Sequence, residues 1–162
     1  MVEAAKNGYT LIEILVGITI IGLIFGFGFV SFREFSRRQA LTGASKQIVG
    51  DLRLAQGEAA AGKKPDDIKC TGVNLLNGYY FRVSGASSYE IQVNCSGGDV
   101  DVKTVNLPGD ILIAAPSPNP VLFKALGQGT NIDQGESATL TLTQAGTGSV
   151  TTITISSVGE IK

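Results

Sequence analysis

Residues 14–32 run without a single charged side chain, and a glutamate, Glu13, stands directly in front of them. No other stretch limits the possible folds of this chain as tightly. At 1.5 Å per residue, roughly 20 helical residues cover the ~30 Å hydrocarbon core of a bilayer. Residues 9–32 are therefore expected to form a helix that sits in lipid or among other apolar helices. They are too long and too apolar for a cleavable secretory core, and no small-residue cleavage pattern follows them. An acid costs about 2.5–3.5 kcal/mol at mid-bilayer on insertion scales and less near the interface. Glu13 is thus read as functional, in need of a partner, and it gains from the positive end of its own helix dipole.

Gly8 suggests that partner. A peptidase cutting after Gly8 would leave Tyr9 as a new N-terminus carrying an α-ammonium, with Glu13 one helical turn further on. Between staggered copies, the Glu13 carboxylate of one would neutralise the Tyr9 amine of the next, and buried charges persist when paired. The run Gly8-Tyr9-Thr10-Leu11-Ile12-Glu13-Ile14-Leu15-Val16 resembles the processing and methylation motif of type IV prepilins and type II secretion pseudopilins, with Tyr9 at the place usually held by Phe. The resemblance implies a leader over residues 1–8, removed by a membrane prepilin peptidase, and methylation of the Tyr9 amine. It implies a transmembrane and filament-core helix over 9–32, in contact with membrane lipid and then with other subunits. It also implies export of the C-terminal part, whereas the positive-inside rule alone would hold Arg33, Arg37 and Arg38 in the cytoplasm. The competing reading is an anchored monomer whose β domain acts alone as a binding module. Glu13 discriminates the two, since only an assembling subunit needs it.

Leu41, Ser45, Ile48, Leu52, Ala55 and Ala59 recur at helical spacing, so the helix is expected to continue as an amphipathic one over 33–62. Gly62 with Lys63, Lys64 and Pro65 behind it reads as the stop. Gly43, Gly50 and Gly57 lie seven apart and form one stripe, about 200° round the helix from the apolar face on 3.6-residue geometry. Each glycine costs ~1 kcal/mol against alanine in a helix interior. The stripe is read either as a close-approach surface for a neighbouring helix or as a flexible segment. Gly22 and Gly26 form a weaker association pair.

Beyond residue 65 the period changes to two. Residues 78–83 and 89–95 read as a hairpin turning at 85–88, with further strands at 100–107, 111–114, 120–125, 138–144 and 150–157. The fold class expected is α+β and pilin-like: a long N-terminal helix on a small antiparallel β domain spanning 63–162. The element from Phe123 to Gly127, the alternating hairpin and the stretch from Ile153 to Ile161 resemble GspH/FimT-type minor pseudopilins, with Glu160 at the place usually held by a basic residue.

Catalytic and ligand chemistry finds little support. The chain has no histidine, which removes the usual general base and the commonest metal ligand. A net charge of −1 gives no electrostatic case for nucleic acid, and Asp66 and Asp67 interrupt the small cluster of Lys63, Lys64 and Lys69. Asp99, Asp101, Asp133 and Glu136 carry oxygen donors of the kind calcium takes, but acids in turns are usually just solvated. No cofactor is expected, and no enzymatic activity. Cys70 and Cys95 either form one bridge, contributing roughly 3 kcal/mol in an exported domain, or remain two thiols.

Overall fold

A computed structural model describes residues 8–162, apart from the side chains of residues 27–31. The expected leader therefore lies outside the described residues except for Gly8. One helix, α1 (Leu11–Ala60), is followed by seven strands: β1 (Leu76–Gly85), β2 (Ser88–Cys95), β3 (Gly98–Asn106), β4 (Ile111–Ala114), β5 (Val121–Lys124), β6 (Ser137–Gln144) and β7 (Val150–Ser156). The arrangement is α+β and pilin-like. The chain divides between Ser36 and Arg37 into two units.

In the second unit α1 ends where its last carbonyls find donors. Gly62 adopts φ +65°, its N–H bonds the carbonyl of Ala59, and the N–H of Lys63 reaches back to the carbonyl of Glu58. This pair of bonds is the Schellman arrangement, and a left-handed residue at that position favours glycine.

The strands form two antiparallel sheets, in the orders β3-β2-β1-β5 and β4-β6-β7. The first is built on the β1–β2 hairpin, in which Tyr79 pairs Val93 and Phe81 pairs Ile91. The second is built on the β6–β7 hairpin, in which Leu140 pairs Ile153. Strand β3 does not pass its edge on to β4, because the chain turns at Pro108, whose carbonyl accepts the N–H of Ile111. Proline cannot donate to a ladder, so a sheet breaks readily there.

Both sheets share one core. Leu41, Ala44, Ile48, Leu52, Ala55 and Ala59 of α1 are buried in the same cluster as Phe81, Tyr89, Ile91 and Phe123 of the first sheet and Leu140, Leu142, Ile153 and Ile155 of the second. The ring centroids of Phe81 and Tyr89 lie 5.0 Å apart, an offset-stacking distance. Polar contacts also tie the helix to the loops flanking β7 of the second sheet. Gln56 Nε2 donates to the carbonyl of Gly159 at 2.8 Å, and Arg37 Nη1 donates to that of Gly146 at 3.3 Å.

One buried carboxylate interrupts the apolar stripe. Asp51 is 7% exposed and accepts the Tyr89 hydroxyl at 2.7 Å and the Lys103 ammonium at 2.7 and 2.9 Å. Burial, followed by the bond to Asp51 and its negative charge, raises the Tyr89 phenol well above the ordinary tyrosine range. Tyr79 is raised as well, by burial first and then by Glu58. In the unfolded chain both phenols ionise near pH 10. The stability they contribute is therefore complete below about pH 10 and is lost as pH climbs beyond it, because the unfolded state then sheds protons that the folded state keeps. Melting temperature measured between pH 8 and 11 should fall steeply above pH 10, and Tyr89→Phe should flatten that fall relative to the parent.

Candidate functional site

The N-terminal unit carries Gly8, Tyr9 and Glu13, the residues of the motif singled out by the sequence. Gly8, Tyr9 and Thr10 precede the helix and Leu11 begins it. Thr10 is the N-cap: its Oγ1 accepts the N–H of Glu13 at 3.3 Å, and its carbonyl accepts the N–H groups of Glu13 and Ile14 at 3.1 and 3.3 Å. Capping needs a short side chain with an acceptor oxygen, which is what threonine supplies. Glu13 is thereby the third residue of the helix, and Thr10-x-x-Glu13 has the spacing of a capping box. That spacing was legible in the sequence and escaped the reading of Glu13.

The Glu13 side chain is exposed and makes no hydrogen bond among the described residues. Its carboxylate sits at the positive end of a 50-residue helix with its acceptor capacity unspent. Tyr9 is 80% exposed, and Gly8 has open space where a side chain would begin. The bond between Gly8 and Tyr9 thus lies in an exposed, non-helical stretch.

The helix after Glu13 is apolar on every side. Ile14, Leu15, Ile18, Ile21, Leu23 and Phe25 are all more than half exposed. Among the described residues such a helix has nothing within its own unit to bury against, so it needs lipid or other helices. Among the described residues no helix is long and apolar enough to cross a membrane. The expected span over 9–32 includes residues 27–31, whose side chains lie outside the described residues.

Residues 4–29 match the family described as the prokaryotic N-terminal methylation motif. The chain has a type IV prepilin-like N-terminus. No curated protein and no solved structure matches the chain. The matched segment covers Gly8, Tyr9, Thr10 and Glu13, so the prepilin-like motif and the capped helix start coincide. The motif implies processing by a prepilin peptidase and assembly with other pilin subunits.

Further along α1, Gly43, Gly50 and Gly57 are exposed, with open space around each position where a Cβ would stand. The stripe lies away from the buried face of the helix and is not used within the chain. Cys70 and Cys95 form a disulfide, with Cα atoms 5.3 Å apart, that ties the connection after α1 to the end of β2. Two of the four acids with calcium-type donors, Asp99 and Asp101, are spent locally. Asp99 accepts a side-chain amide bond from Asn94, and Asp101 accepts one from Gln92 at 2.7 Å.

The buried polar residue that sequence reasoning passed over is Asp51, whose role is structural. It stands three positions after Ile48 and four before Ala55, on the apolar stripe itself, and a carboxylate placed there announces a buried partner. The disulfide also has a measurable weight. Reduction should lower the unfolding free energy of the C-terminal unit by about 3 kcal/mol, for a closed loop of some 25 residues, seen as a lower urea midpoint with and without a thiol reductant.

Proposed function

We propose that this chain is a structural subunit of a type IV pilus or a type II secretion pseudopilus, with a mechanical role and no catalytic one. The observation that carries the reading is the coincidence of the methylation motif over 4–29 with an uncommitted carboxylate, Glu13, at the start of an apolar helix. The leader through Gly8 is removed and the Tyr9 amine methylated by a prepilin peptidase. Residues 9–32 hold the subunit in the cytoplasmic membrane in a single pass, supported by the charge-free run from 14 to 32. The β domain is extracytoplasmic, supported by its disulfide, which persists in an oxidising compartment.

Assembly then stacks apolar helices, and the Glu13 carboxylate pairs with the Tyr9 amine of a neighbour. An unpaired charge in the helix bundle would cost several kcal/mol, so one stagger between subunits is favoured over its alternatives. The GspH/FimT-type minor pseudopilin is the finer form of the proposal. It is supported by Phe123 on β5, by the β6–β7 hairpin and by the bridge that Ile161 makes to Ile155.

Mass spectrometry of the mature protein should show an N-terminus at Tyr9 carrying one extra methyl group; an intact Met1 in cells with an active prepilin peptidase overturns the reading. Glu13→Leu should insert normally and fail to enter filaments, whereas incorporation at the parent level would favour an anchored monomer. Gly50→Leu should fold normally, because nothing lies within 4 Å of the position. It should nevertheless reduce filament yield if the glycine stripe seats a neighbouring helix, and normal yield removes the stripe from the assembly.

A further inference from the structure

Only Tyr9 and Thr10 separate the Gly8–Tyr9 bond from Leu11, the first helical residue. Residues 8–10 are exposed and non-helical. Inside a helix a residue has fixed φ/ψ, and its carbonyl is engaged by the turn that follows. Exposed chain outside regular structure is where proteases cut. The point at which α1 begins therefore decides whether this bond can be presented to a peptidase.

The sequence offers a rival start. Asn7, which lies outside the described residues, is of a type that caps helices better than threonine does. A helix capped at Asn7 would take Gly8 and Tyr9 into its first turn. Three features work against it. Gly8 is a poor helix former. Glu13 falls in the first turn of α1, where the helix dipole favours an acid, whereas a cap at Asn7 would move it into the second. Thr10 makes the bonds of the cap itself: its Oγ1 accepts the Glu13 N–H at 3.3 Å, and its carbonyl accepts the N–H groups of Glu13 and Ile14. Gly8 and Glu13 have other parts in the proposed processing and assembly, so the Thr10 side chain is the feature that can be removed by itself.

We propose that Thr10 positions the Gly8–Tyr9 bond for cleavage by ending α1 short of it. The inference rests on the processing reading above and names the residue that sets the conformation of the peptidase's substrate. Cleavage breaks the bond from the Gly8 carbonyl carbon to the Tyr9 nitrogen and adds one water across it, as a Gly8 carboxylate and a Tyr9 ammonium. Thr10 takes no part in that exchange. It is a positioning residue, acting through the backbone of Gly8 and Tyr9, and any side chain able to cap at position 10 can replace it. Loss of an N-cap side chain shifts a helix boundary equilibrium by about fivefold, the equivalent of ~1 kcal/mol.

The test compares the full chain with Thr10→Ser and Thr10→Asn, which keep an acceptor oxygen, and with Thr10→Val and Thr10→Ala, which lack one. Each is made in cells without a prepilin peptidase, and its membranes are mixed with membranes containing that enzyme. Mass spectrometry follows the initial rate of leader loss. Carbon-13 Cα shifts of Gly8 and Tyr9 in the uncleaved chain, in detergent micelles, report whether the helix has advanced over the bond. Ser and Asn should be cleaved at the parent rate, whereas Val and Ala should be slower by up to about fivefold, with Gly8 and Tyr9 shifted toward helical values. Equal rates for all variants, Ser and Asn as slow as Val, or slow cleavage without the helical shift overturns the inference and leaves the processing reading standing. A parent chain left uncut by a peptidase that processes a control prepilin overturns both.

Discussion

The apolar stripe of α1 from Leu41 to Ala59 is the surface on which the C-terminal unit depends. Two sheets of four and three strands, each too small to bury its own inner face, meet the same six helical residues. Isolated hairpins are marginal in water, and packing against a helix is what makes such strands stable. The polar ties run in the same direction: Asp51 to Tyr89 and Lys103 of the first sheet, Gln56 and Arg37 to loops flanking β7 of the second. Removing the helix would expose both sheets at once, so the element that carries the prepilin-like motif at one end is also the spine of the folded domain at the other.

Two carboxylates on that helix show how differently a chain can treat a costly charge. Asp51 is satisfied within the chain, by a buried hydroxyl and a half-exposed ammonium, and its bonds fix the helix on the first sheet. Glu13 lends only its backbone N–H to the cap and keeps its carboxylate unspent. Placing an acid inside a fold is destabilising unless its partner is present. For Asp51 the partner is supplied by folding; for Glu13, on the proposed reading, it is supplied by assembly.

Most of the architecture was legible in the sequence because its periods are clean. The 3.6-residue recurrence from Leu41 to Ala59 and the strict alternation of 138–143 and 151–156 each bury one face, and the observed strands fall within a residue or two of the expected ones. The division into two sheets was not legible. Alternation tells which face of a strand is buried and says nothing about which strand lies beside it, and the partner of β4 is set by the turn at Pro108 together with a hairpin thirty residues on. Asp51 was hidden for a related reason: a single carboxylate among glycine, leucine and arginine reads as surface until its helical phase is counted from Ile48. At the N-terminus, residues Gly8 to Glu13 announced the prepilin-like motif clearly, whereas the capping role of Thr10 was obscured by the stronger signal around it.

The edges of the two sheets bear on how copies of this chain can join. Strand β3 has a free edge of nine residues, but the bulge at Val102 breaks its ladder, Asp99 and Asp101 line it, and Lys103 turns inward to Asp51. Strand β4 is only four residues long, and the bridge from Phe123 to Thr130 covers part of β5. The outer edge of β7 is occupied by the chain's own end, where Thr154 and Lys162 exchange two backbone bonds and Ser156 N–H bonds the carbonyl of Glu160. Bulges, inward charges, short edges and covering segments are the devices that keep strands of separate molecules from pairing. A protein that must polymerise through one surface gains from closing the others, because backbone pairing between sheets recognises no stagger and would trap subunits in disordered aggregates. With these edges protected, the proposed assembly would join copies through side chains, and on that reading it is side-chain contacts, Glu13 foremost, that discriminate one register from the next.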